Sequence, residues 1–255
     1  MICWAAFKKS LLSQSIKIDC IRVNIPKTYR RFPDHSFQLP NVPEGVDVVL
    51  GDRDYGPATK VLPTIREHRN NPAKIIFCDD DRECHPDWAK TLVQKSIEKP
   101  NCAIANSGWD ISNLDVKYDR DFSLPRAKRL NNKLDVTYRM RRIHQKITET
   151  VKGVKLPKPY RNKTYYKEGY LDILEGCGGV LVKLNFFTSD VFNVPEKVWS
   201  VDDIWLSGML AYNGTKIWSN SIGYMPNEMH GAGEDALCND VIEGLDRTES
   251  NEEEL

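Results

Sequence analysis

Short apolar runs alternate with helix-spaced segments between Val46 and Asn106, and that alternation constrains the fold more than any other feature of the chain. Val46–Leu50, Lys74–Cys78 and Cys102–Asn106 are apolar and too short for ordinary helices, which predicts buried strands. Thr59–Arg69 carries a helical pattern with Pro63 in its first turn, where proline is tolerated. Pro86 opens a second helix reaching Lys99, with Trp88, Leu92, Val93 and Ile97 expected inward. Strand, helix, strand, helix, strand is the order of an α/β domain built on a parallel sheet.

The flanks extend this pattern. Trp4–Gln14 reads as an amphipathic helix with Phe7, Leu11 and Leu12 on one face, followed by a strand over Ile16–Ile25 that Pro26 ends. A helix and then a strand is an unusual opening for a doubly wound sheet. Pro33, Pro40 and Pro43 make Arg30–Gly45 a loop. Gly108–Glu168 breaks the rhythm, with one helical stretch at Leu134–Val151. Regularity returns at Leu171–Val182, where two apolar runs flank Gly176, Gly178 and Gly179. An apolar helix over Ile204–Ala211 and a strand over Lys216–Trp218 follow. The expected division is one domain over 1–227 and an acidic tail over 228–255.

Formal charge is zero over 255 residues, but its distribution is uneven. Asp110–Tyr170 holds 16 Lys and Arg against 7 Asp and Glu, while Arg247 is the only basic residue after Glu228. A basic segment embedded at 110–170 suits an anionic ligand or membrane headgroups, giving an expectation of peripheral membrane contact. Its aromatics, Trp109, Tyr118, Tyr138, Tyr160, Tyr165 and Tyr166, suit stacking on sugar faces. No nucleic-acid reader motif is present, so nucleic acid is not an expected partner. Seven cysteines without a CxxC pair signal neither a disulfide framework nor a zinc site. Met1–Phe7 is apolar but too short for an export signal or a membrane span, so the cytoplasm is the expected compartment.

The chemistry concentrates at Asp79-Asp80-Asp81, where the middle strand runs into three carboxylates at the carboxyl edge of the sheet. That edge is where open α/β sheets bind ligands. Mutual repulsion is relieved by protonation, a basic partner or a metal ion, and hard oxygens suit Mg²⁺ or Mn²⁺ shared with phosphate. A solvated loop in which Arg82 neutralises one acid is the other reading. Asp52, Asp54 and Lys60 frame a turn fixed by Gly56-Pro57. The three glycines admit close backbone approach or a strand bulge. Asp202-Asp203 opens a helix, a place that acids also favour for purely helical reasons.

An acidic triplet at a strand end, a later glycine segment and an acidic pair opening a helix resemble a nucleotide-sugar glycosyltransferase of the GT-A fold, near the family 2 type. The resemblance spans Trp4–Ala211. It implies a Rossmann-like three-layer sandwich with a mostly parallel mixed sheet, and an inverting, metal-dependent transfer from a nucleoside diphosphate sugar to a hydroxyl on a glycan or lipid-linked glycan. By that resemblance Asp79 and Asp80 meet the donor, Asp79 and Asp81 hold Mn²⁺ or Mg²⁺, and His230 joins the metal shell or lies on the surface. Asp52, Asp54 and Lys60 line the nucleotide pocket, and Gly178 and Gly179 floor the sugar pocket. Asp203, beside Asp202, is the general base. Haloacid-dehalogenase-type phosphatases also carry acids at a strand end, but Arg82-Glu83 stands where they have small residues. A nucleotidyltransferase or phosphohydrolase using the same acids, and a non-catalytic carbohydrate-binding scaffold, are the other readings. The strand that opens the family's sheet has no counterpart before Trp4, which implies an uncovered edge and self-association into a homo-oligomer.

Overall fold

The computed structural model describes residues 9–33, 39–111, 123–130, 135–156, 158–161 and 164–229, which form a mixed α/β fold. The strands in chain order are β1 (Arg22–Pro26), β2 (Asp47–Gly51), β3 (Lys74–Phe77), β4 (Arg82–Glu83), β5 (Cys102–Ala105), β6 (Gly108–Trp109), β7 (Lys128–Arg129), β8 (Tyr165–Lys167), β9 (Tyr170–Leu171), β10 (Ile173–Leu174), β11 (Val180–Lys183), β12 (Lys216–Ser219) and β13 (Asn227–Glu228). The helices are α1, described over 9–12, then α2 (Leu62–His68), α3 (Trp88–Glu98), α4 (Val136–Lys152) and α5 (Asp202–Tyr212).

The main sheet has five strands in the order β3-β11-β5-β12-β9. Only β5 and β12 pair in parallel; β11 runs against β3 and β5, and β9 against β12. The main sheet is therefore mixed, and mostly antiparallel in its pairs, where a mostly parallel one was expected. The cause is β11, which returns from the glycine segment and inserts between β3 and β5. The parallel pair β1–β2 forms a separate two-stranded sheet.

Successive side chains along these strands serve opposite faces, as pleating requires. Phe77, Ala103, Ala105, Val180, Val182 and Ile217 join α2 and α5 in one core, while Ile104, Leu181 and Trp218 join Trp88, Ala89 and Leu92 of α3 in the other. Helices thus cover both faces. Two expectations fail locally. Ile97 is 67% exposed, because at 3.6 residues per turn it lies about 180° around α3 from Trp88. The predicted Ile16–Ile25 strand begins only at Arg22, where its partner Asp47 begins; Ile16 and Ile18 pack against the α3 core instead.

The second edges of β1 and β3 have no strand partner among the described residues. Residues of both strands line one cavity of about 1060 Å³.

Candidate active site

Lys60 closes a 3₁₀ turn, Gly56–Lys60, just before α2. Its Nζ lies 2.6 Å from Asp79 Oδ1 beyond β3, and 2.8 Å from Asp202 Oδ2 in the first turn of α5. Asp203 occupies the same turn, where the orphan N–H groups and the helix dipole favour anions. Asp203 Oδ1 accepts from Gly176 N at 3.0 Å. A Cβ on Gly176 would stand 2.5 Å from Lys60 Nζ and 2.9 Å from Asp79 Oδ1, so a side chain here would displace the ion cluster. One ammonium therefore ties together the turn after β2, the end of β3, the glycine segment and the start of α5.

The electrostatics follow from this convergence. Burial works against the charge of Lys60, but Asp202, Asp79 and Asp203 outweigh it and hold the ammonium well above its ordinary value. Burial, then Asp202, push the Asp203 carboxyl up to about 8, against the lowering effect of Lys60. Burial and Asp79 likewise raise Asp80. Asp81 is raised by burial and Asp79 despite Arg82. Tyr29, past the end of β1, is raised by burial and by the nearby Asp54 and Asp80.

Asp54, Lys60, Asp79, Asp80, Asp81, Asp202 and Asp203 all line the 1060 Å³ cavity. Asp54 is also committed to the backbone: Oδ1 accepts from Gly56 N and Oδ2 from Arg30 N, both at 2.8 Å. Asp52 is not among the lining residues; its side chain is exposed and pairs with Lys27. Gly178 and Gly179, expected at the sugar-pocket floor, do not line the cavity either. A Cβ on Gly179 would stand 2.3 Å from the Trp88 ring, and one on Gly178 2.6 Å from Ser107 Cβ, so both glycines serve packing. His230 lies outside the described residues.

Two lining residues carried no sequence signal of a role. In the sequence Arg82 reads only as a neutraliser of one acid. Trp199 meets Gly56 so closely that a Cβ there would stand 2.4 Å from its carbonyl oxygen, and it lines the cavity. Its one clue was its place three residues before Asp202.

No group of three or more His, Cys, Asp or Glu side chains among the described residues is arranged to enclose a metal ion. An open site of the kind Mg²⁺ prefers needs only one or two carboxylates and shares the ion with phosphate and water. The acidic triplet fits that requirement. Asp81 Oδ1 is buried 3.0 Å from Arg82 Nε without an aligned hydrogen bond, in a cluster whose acids repel one another.

Compared with known proteins, the chain matches no family model and no curated protein.

Proposed function

We propose that the cavity binds a nucleoside diphosphate sugar and transfers the sugar, with inversion, to a hydroxyl of a glycan or lipid-linked glycan, on a GT-A-like fold. The observation that carries this reading is the position of Lys60 Nζ between Asp79 and Asp202, with Asp203 close by, in the lining of the cavity. A cation lining the cavity would suit the charge of a diphosphate, exchanging part of its pairing with Asp79 for phosphate oxygens. The order of the elements supports the reading too: the acidic strand end, Gly176 of the glycine segment and the acidic helix start converge on Lys60.

Asp79 and Asp81 would hold Mn²⁺ or Mg²⁺ together with the diphosphate, and the ion would supply charge stabilisation to the leaving group. The chain's own residues account for the rest. Lys60 pairs with phosphate oxygens. In its ionised form, which the raised carboxyl reaches above about pH 8, Asp203, oriented by Gly176 N, accepts the proton of the acceptor hydroxyl as its oxygen bonds to the anomeric carbon. The bond from that carbon to the diphosphate breaks, and its electron pair leaves with the phosphate oxygen. Buried Asp202 keeps Lys60 charged and in place. A cytoplasmic location belongs to the same proposal. Among the described residues no helix is long and apolar enough to cross a membrane.

A thermal-shift screen of nucleoside diphosphates and their sugars, with and without Mn²⁺, tests the donor class. A ligand at a hundred times its Kd adds about 2.7 kcal/mol. The proposal expects a shift that needs one nucleotide and is enlarged by metal. Release of inorganic phosphate or pyrophosphate in place of nucleoside diphosphate would mark a phosphohydrolase or nucleotidyltransferase instead.

A further inference from the structure

Helix α4 is amphipathic the wrong way round for a packed helix. Val136, Met140, Ile143, Ile147 and Val151 are each more than half exposed. Their spacing of three and four residues places them, at 3.6 residues per turn, in one stripe about 80° wide. Gln145, on the far side of the helix, is the buried residue of α4, and its amide binds Glu149 Oε1 and the Leu156 carbonyl. The polar face thus turns to the protein and the apolar face to solvent. Val154 and Leu156 continue the exposed apolar surface past the helix end.

Charge distinguishes what can cover this stripe. From Val136 to Lys158 there are seven Lys and Arg and a single acid, Glu149, which is already bonded to Gln145 and to Leu156 N. A second copy docked stripe to stripe would bring two such basic surfaces together. An anionic lipid surface meets both requirements at once, taking the apolar side chains below the headgroups and pairing phosphates with the flanking Arg139 and Lys146. We propose that α4 is an interfacial helix that seats the protein on an anionic membrane. The inference rests on exposure and charge alone, so it stands or falls separately from the donor reading.

Co-sedimentation of the full chain with vesicles of phosphatidylcholine alone, and of phosphatidylcholine with phosphatidylglycerol, tests it. Binding is expected only to the anionic vesicles, weakening as salt rises. The double variant Ile143→Asp/Ile147→Asp, at exposed positions, is expected to lower that binding by about tenfold or more with an unchanged melting temperature. Arg139→Glu/Lys146→Glu, which leaves the stripe intact, is expected to weaken binding as well and decides the matter if the first variant fails to fold. Equal binding to both vesicle types, or wild-type binding by either variant, would overturn the proposal. So would a wild-type dimer in sedimentation equilibrium that the Asp substitutions convert to monomer, since a second copy would then be the cover.

Discussion

Gly176 leaves room for Lys60: a single carbon added to the glycine would stand 2.5 Å from the ammonium. The glycine is thereby explained by a side chain 116 positions earlier in the chain, not by its own backbone conformation. Gly176→Ala is expected to fold, because the tip of a lysine can shift. It is expected to weaken donor binding about tenfold, equivalent to about 1.4 kcal/mol, in a calorimetric titration. Unchanged affinity would separate Lys60 from the donor.

Gly179 offers the contrast. Its φ of +94° belongs to the region that favours glycine, and a Cβ would stand 2.3 Å from the Trp88 ring. Gly179→Ala combines backbone strain with overpacking and is expected to cost about 3 kcal/mol. Thermal melts should show the loss, with donor affinity of the folded protein unchanged.

Removing the cation should strand its acids. Lys60→Met leaves Asp79, Asp202 and Asp203 around an apolar side chain, and breaking a buried pair from one side costs about 3–5 kcal/mol. With 19% of the Lys60 side chain exposed, the lower end applies. The deficit is expected to shrink from pH 8 to pH 5, as the remaining carboxyls take up protons. Melting curves at the two pH values check this.

Asp203 makes stability fall as pH rises. Its folded-state carboxyl titrates near 8, whereas in the unfolded chain it titrates near the ordinary value of about 4. The native state therefore holds a proton that the unfolded state has released, and unfolding becomes easier from about pH 4 to 8 and levels off above. Asp203→Asn lacks this slope, so its melting temperature should gain on the wild type across that window. Equal pH dependence of the two proteins would remove Asp203 from its buried, acid-crowded setting.

Strand positions were legible because apolar runs such as Ile75–Phe77 and Val180–Val182 need burial on both faces, and only a central sheet supplies it. Pairing direction was not, because nothing local to Val180–Lys183 shows that it turns back between β3 and β5. Asp79 and Asp203 were legible as candidate site residues from their place at a strand end and a helix start, and both line the cavity. The partnership of Lys60 with Asp202 was not, being set by tertiary folding across 142 positions. Asp54 shows a second limit: an acid in a turn reads alike whether it faces a ligand or accepts backbone N–H groups, and here it does the latter while lining the cavity. The period of α4 was plain in its sequence, but period alone cannot say which face looks outward.

The measurement that bears most directly on the proposed chemistry is release of nucleoside diphosphate from nucleotide sugars in the presence of Mn²⁺ and acceptor, wild type against Asp203→Asn. The account predicts release by the wild type. It predicts a fall of about 10²–10⁴-fold in the variant, with donor affinity retained. Absence of release from every donor, or equal release by the two proteins, would contradict it.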